Sequence, residues 1–191
     1  MGVKRASTDI LVALVLATGI ICLSAAAKQA ENLFAGELPS QVPFQETESL
    51  RYEIHWKPLF LLPAFKAGEV SFSIRESAYH QKPTYTISAW AISEGPLTSL
   101  AGLRIKNYFE STVDRNDFRS YRLLRKTHQN KKQRYLEVFF DYDDESTRIH
   151  EINLETDPPQ NIRDQTIEGI PGPVADVLSV FYLARLRALQ P

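Results

Sequence analysis

The stretch Ile170–Leu189, IPGPVADVLSVFYLARLRAL, is the one long helical signal outside the N-terminus, and the architecture of the rest follows from it. Gly172 breaks the preceding segment, and Pro173 suits a first helical turn, where its missing N–H is not needed. Asp176 places a negative charge near the positive end of the helix. Val174, Val177, Leu178, Phe181, Ala184 and Ala188 recur at spacings of three and four and predict one apolar stripe. Arg185 and Arg187 suit the negative pole. A lone amphipathic helix needs a second layer to bury that stripe, so the preceding chain must provide a sheet.

From Leu50 to Arg163 the dominant period is two. Leu50, Tyr52, Ile54 and Trp56 alternate with Arg51, Glu53 and His55, which predicts a strand with one covered face. Gly68–Glu76 repeats the pattern. In Thr84–Glu94 both sides carry aromatic or β-branched residues, Tyr85 and Ile87 on one and Thr86, Trp90 and Ile92 on the other. This strand is expected to be covered twice, by a core on one face and by the helix on the other. Arg104–Asp114, Ser120–His128, Arg134–Tyr142 and Thr147–Ile152 follow at hairpin spacing, with Ile162–Ile167 a candidate eighth strand. The turns are too short for crossover helices, and no glycine-rich loop occurs, which excludes a parallel dinucleotide-binding arrangement. The expected fold is mainly β: a long, curved, antiparallel meander, partly wound and barrel-like, packed against one C-terminal helix.

At the other end, Lys4 and Arg5 precede an apolar run from Ile10 to Leu23 and then Ala25-Ala26-Ala27. These are the three parts of a secretory signal peptide over residues 1–27, with cleavage before Lys28. The competing expectation is an uncleaved inner-membrane anchor, since Ile10–Ala27 is just long enough to span a bilayer. Bulky Ile20 and Ile21 before Cys22 do not fit a lipid-attachment site. Residues 28–47, with Gly36, Pro39 and Pro43, read as a flexible lead-in to a single domain over residues 48–191. The whole chain carries 22 basic and 23 acidic residues, a balance that does not recommend nucleic acid as a partner. Loss of the leader removes the single cysteine, and with it any disulfide or thiol nucleophile. The expected location is the periplasm.

Several residues together resemble the DUF3108 family of exported bacterial proteins of unknown function. They are Glu48, Leu50, Tyr52 and Trp56 in the first strand, Gly68-Glu69 before the second, and Asp176, Leu178, Ser179, Tyr182 and Arg185 in ADVLSVFYLAR. The resemblance covers Glu48 to the C-terminus and implies a β-rich, periplasmic or envelope-associated domain with no assigned catalytic residues. Members of that family usually continue past the helix with a glycine and further strands. This sequence stops at Gln190-Pro191, as a fragment or as a version without those strands.

No pattern carries catalysis. His55, His80, His128 and His150 form none of the HxxxH, HExxH or Cys/His spacings of metal sites, so no metal or other cofactor is expected. Asp141, Asp143, Asp144 and Glu145 lack the glycine and distal glutamate of a calcium loop and read as an acidic turn. No GxSxG occurs, and Ser179 falls within the helix. Two surfaces stand out. The loop Lys57–Phe65 holds Phe60, Leu61 and Leu62, and one hairpin gathers Arg122, Arg125 and Lys126 among seven cationic residues. If the concave side of the sheet receives a lipid-like ligand, Phe60, Leu61, Leu62 and Trp90 line its mouth, while Arg122, Arg125 and Lys126 meet an anionic head. The alternative is a structural or interaction protein with a filled interior that supports envelope assembly. The partner is thus expected to be a lipid or an envelope protein. Asp176, Phe181, Tyr182 and Arg185 are assigned structural work, Asp176 and Arg185 by tying the helix to a strand or loop.

Overall fold

The structure, a computed structural model, describes residues 47–57, 64–95, 104–169 and 172–188, with Thr98 and Gly102. The export segment, most of the lead-in, Phe60, Leu61 and Leu62, and the last three residues lie outside the described residues. Eight strands follow: β1 (Thr47–Trp56), β2 (Phe65–Tyr79), β3 (Lys82–Ser93), β4 (Ile105–Asp114), β5 (Ser120–Gln129), β6 (Lys132–Asp141), β7 (Ser146–Asn153) and β8 (Gln160–Glu168). They form one antiparallel meander in chain order, with β1 and β8 as edges and no pairing between them. The sheet is therefore open, not a closed barrel. One helix, α1 (Val177–Ala188), packs against it.

Alternation and turn chemistry explain the strands. His80 and Gln81 both take positive φ, 47° and 66°, as a tight two-residue hairpin requires. That turn extends β2 to Tyr79 and starts β3 at Lys82, before the expected Thr84. Pro83 is tolerated inside β3 because pairing with β4 begins only at Thr84. Gly68 lies where β2 crowds β3: a Cβ there would stand 2.4 Å from the Ile92 carbonyl oxygen. The ladder with β1 slips by one residue between Ile54 and His55, beside that close approach.

Register assigns the faces. Leu50, Phe72, Ala89, Phe109 and Arg125 share one side, the helix face, and the alternate residues share the outer face. The main apolar cluster lies on the helix face, while Leu124, paired with Glu110 and Glu137, is buried on the outer face. Ile74, Tyr85, Ile87, Ala89, Val113 and Phe118 meet Leu178, Tyr182, Leu183 and Leu186 of α1. This corrects the expectation that β3 separates a core from the helix. On its outer face, Thr84 and Thr86 are buried in a hydroxyl network with Ser77, at 2.8 and 2.9 Å, whereas Trp90 is 43% exposed. The aromatic and β-branched residues that read as a second buried face serve a polar network and an open surface.

The helix departs from its sequence reading as well. It begins at Val177, so Pro173 lies before it and not in its first turn. The buried side is the two rows Leu178–Tyr182–Leu186 and Ser179–Leu183, while Val177 is 48% exposed and Ala184 is exposed. The contact stripe is thus rotated about the axis toward Tyr182. Phe181 is partly buried at its margin, stacked on Phe72 with centroids 4.7 Å apart.

Candidate functional site

The start of α1 is fastened by a buried polar node. Asp176 caps the helix: its Oδ1 accepts from the Leu178 and Ser179 amides at 2.8 and 3.0 Å. Its Oδ2 accepts from the Ser111 hydroxyl in β4, and its own amide donates to Ser120 Oγ in β5 at 3.1 Å. Burial pushes the carboxyl above the ordinary aspartate range, against the pull of the hydrogen bonds from Ser111 and from the Ser179 and Leu178 amides. Ser179 Oγ donates to the Asp176 carbonyl oxygen and lies 3.2 Å from Ser120 Oγ. That environment holds hydroxyls and a carboxyl but no histidine, so it is a fastening and not an activated nucleophile. Tyr142 adds a brace by donating to the Ser120 carbonyl at 2.7 Å and accepting from the Val174 amide at 3.2 Å. Burial raises its phenol to about 12.

Farther along α1, Arg185 grips Glu48 of β1 in a two-pronged pair, Nη1 to Oε1 and Nη2 to Oε2, the latter at 3.2 Å. The helix thus reaches from Ser120 in β5 to Glu48 in β1. Asp176 and Arg185 bind different strands and do not face one another.

The cationic residues assigned to one ligand head do not assemble. Arg122 and Lys126 point to the outer face, whereas Arg125, an odd number of positions from each, points to the helix face. Arg122 lies between Glu137, at 2.6 Å, and Glu110, at 3.4 Å. Tyr135 and Tyr108 donate to those same glutamates, so the guanidinium is already neutralised within a network. Lys126 stands 5.9 Å over the Tyr135 ring. Trp90 is on the outer face against Tyr108, on the side of the sheet opposite the concavity that α1 occupies. The physical reason is the period of two, which separates residues that adjoin in sequence.

The histidines are dispersed in the same way, and among the described residues no three metal-binding side chains come together. Asp141 Oδ1 accepts from the Asp143 and Asp144 amides at 3.0 and 3.1 Å, so the acidic run closes its own turn.

Sequence reasoning did not single out the uncovered part of the helix face. Among the described residues, no side chain of β6, β7 or β8 belongs to the apolar cluster beneath α1. Yet Leu123 pairs with Val138 and Val138 with Ile149, and Phe140 joins Ile167 through Thr147. Val138, Phe140 and Ile149 are only partly buried, Thr147 is buried, Ile167 is 41% exposed, and all nine residues of β8 are exposed. The alternation of β6 and β7 carries the signal, but the position at which the helix stops covering the sheet cannot be read from it.

Fold and site together describe an open antiparallel sheet clasped over part of one face by a capped helix, with no assembled catalytic group among the described residues. A family described as a protein of unknown function, DUF3108, matches residues 51–191, and the chain belongs to it. No curated protein and no solved structure matches the chain.

Proposed function

We propose that this domain is an exported interaction protein of the cell envelope, and that the uncovered helix-face surface of β6–β8 receives an apolar surface of a protein partner. The supporting observation is the one-sided second layer: among the described residues α1 packs its apolar side on β2–β4 and is tied to β1 and β5 at Glu48 and Ser120, while Val138, Phe140, Ile149 and Ile167 continue the same face outside that cluster. An apolar patch spanning several strands is a surface that a monomer gains by covering. A lipid carrier needs an enclosed hollow, and the concavity over β2–β4 is filled by Tyr182, Leu183 and Leu186, none of which is exposed. The export reading rests on the basic start, apolar run and Ala25-Ala26-Ala27.

In-cell photo-crosslinking tests the surface. A photoreactive residue at position 138 should give one discrete protein adduct in the envelope fraction, and the same residue at position 126 on the outer face should not. Absence of a protein adduct at position 138, or an adduct to lipid alone, would overturn the reading, the latter in favour of a carrier. N-terminal sequencing of the envelope material should begin at Lys28.

A further inference from the structure

A second surface stands apart from the β6–β8 face. At the end of the sheet where β3 passes into β4, a half-open cleft of about 410 Å³ is lined by Arg104, Lys106 and His128, with Ile92, the register partner of Lys106, as its apolar wall. Lys106 and His128 are register partners on β4 and β5, so both side chains leave the outer face side by side. Arg104 stands at the start of β4, fixed by its backbone. Its amide donates to Asn130 Oδ1 and its carbonyl accepts from the Asn130 amide, both at 2.8 Å. The Ile105 amide donates to Ser93 Oγ at 2.9 Å, which ties the first residue of β4 to the last of β3. Three nitrogen-bearing side chains, two on paired strands and one on the residue before β4, therefore converge on a hollow, and the backbone that carries them is tied at Arg104 and Ile105.

Among the described residues, the side chains of this cleft are not neutralised by carboxylates, as many cations elsewhere on the sheet are. Lys66, Arg119, Arg122, Arg148 and Arg185 each lie within ion-pair distance of a carboxylate. Among the described residues, Arg104, Lys106 and His128 have no such partner, and Lys106 rests 5.7 Å from the centroid of the Trp90 ring instead. Residues 95–104 contain no acid, and Glu94 at their border turns to Lys66 at 3.0 Å. Cations gathered without counter-charge in a concave site raise the local positive potential and favour an anion. A guanidinium fork, an ammonium and an imidazole suit a phosphate group, and the Ile92 wall accepts a short apolar attachment. The volume is that of a small-molecule site.

We propose that the cleft on the outer face at this end of β3, β4 and β5 binds a phosphate ester through Arg104, Lys106 and His128. The ester is either a soluble metabolite or the head of an anionic lipid, and the chemistry of recognition is the same for both. Calorimetric titration of the purified full chain with glycerol phosphate, in low salt without other phosphate, tests the soluble source. Co-sedimentation with phosphatidic acid vesicles, compared with phosphatidylcholine vesicles, tests the lipid source. Saturable binding in either arm is expected, and the arm that responds identifies the source. Arg104→Ala and Lys106→Ala should each weaken it about tenfold or more. Lys82→Ala, which removes the same charge at the far end of β3, should leave it within about twofold. Arg104 is exposed and its fold contacts are made by the backbone, so its variant probes the cleft with the sheet intact. No saturable binding in either arm up to about 10 mM ester, or equal weakening by Lys82→Ala, would overturn the proposal.

Discussion

Asp176 shows what one buried carboxyl does in this fold. It satisfies two amides at the start of α1 and one hydroxyl of β4, and no cation is among its hydrogen-bond partners. Asp176→Ala removes the cap and leaves the Ser111 hydroxyl without its acceptor, so a loss of about 2 to 4 kcal/mol in a denaturant titration is expected. A loss below about 0.5 kcal/mol would mean that the node does not hold the helix. The pH dependence has a definite sign. Burial raises the folded-state pKa above the ordinary 3.8, so the folded protein binds the proton more tightly than the unfolded chain. The stability this group contributes is full below 3.8 and is lost as pH rises through the raised folded value. The stability of the wild type relative to Asp176→Asn should therefore fall as pH is raised from acid toward neutral. A difference that grows with pH would put the hydrogen bonds, not burial, in control. The residue type and its place near a helix start were visible in ADVLS, but its partners Ser111 and Ser120 lie 65 and 56 positions earlier.

At the scale of the element, α1 is held by a face and by a clasp. Leu183 is fully buried, so Leu183→Ala should cost about 2 to 5 kcal/mol, whereas Phe181→Ala, at the margin, should cost less despite its larger side chain. Equal losses in denaturant titrations would show that the stripe is centred on Phe181 after all. The clasp is Arg185 with Glu48, partly shielded from solvent and two-pronged. A double-mutant cycle on the pair should return a coupling of about 1 to 2 kcal/mol, weaker at high salt. A coupling near zero would reduce it to an ordinary surface pair. The helix was legible because a period near 3.6 is a local property. Its rotation was not, because Val177, Ala184 and Leu183 are all apolar enough for a buried stripe, and only the position of Ile74, Ile87 and Val113 beneath them selects among the faces.

Over the whole molecule, order should grade from the clasped half to the open half. β3 and β4 lie centrally under α1, and β8 is an edge strand exposed along its entire length. Native-state amide exchange should be slowest in β3, β4 and α1 and fastest in β8, with β7 intermediate. Uniform protection through β8 would mean that something already covers that half in solution. Strand count, antiparallel pairing and the single closing helix were determined by the sequence itself. Alternation, short polar turns and a 3.6-residue period act between near neighbours, and hairpin connections leave little freedom in strand order. The tertiary structure alone decided which face of β3 meets the helix, that Arg122 and Arg125 part company, that no described side chain of β6–β8 joins the cluster beneath α1, and that Arg104, Lys106 and His128 converge. Each of these depends on register and on where one helix ends, and a period of two carries identical information for either face until a second layer chooses between them.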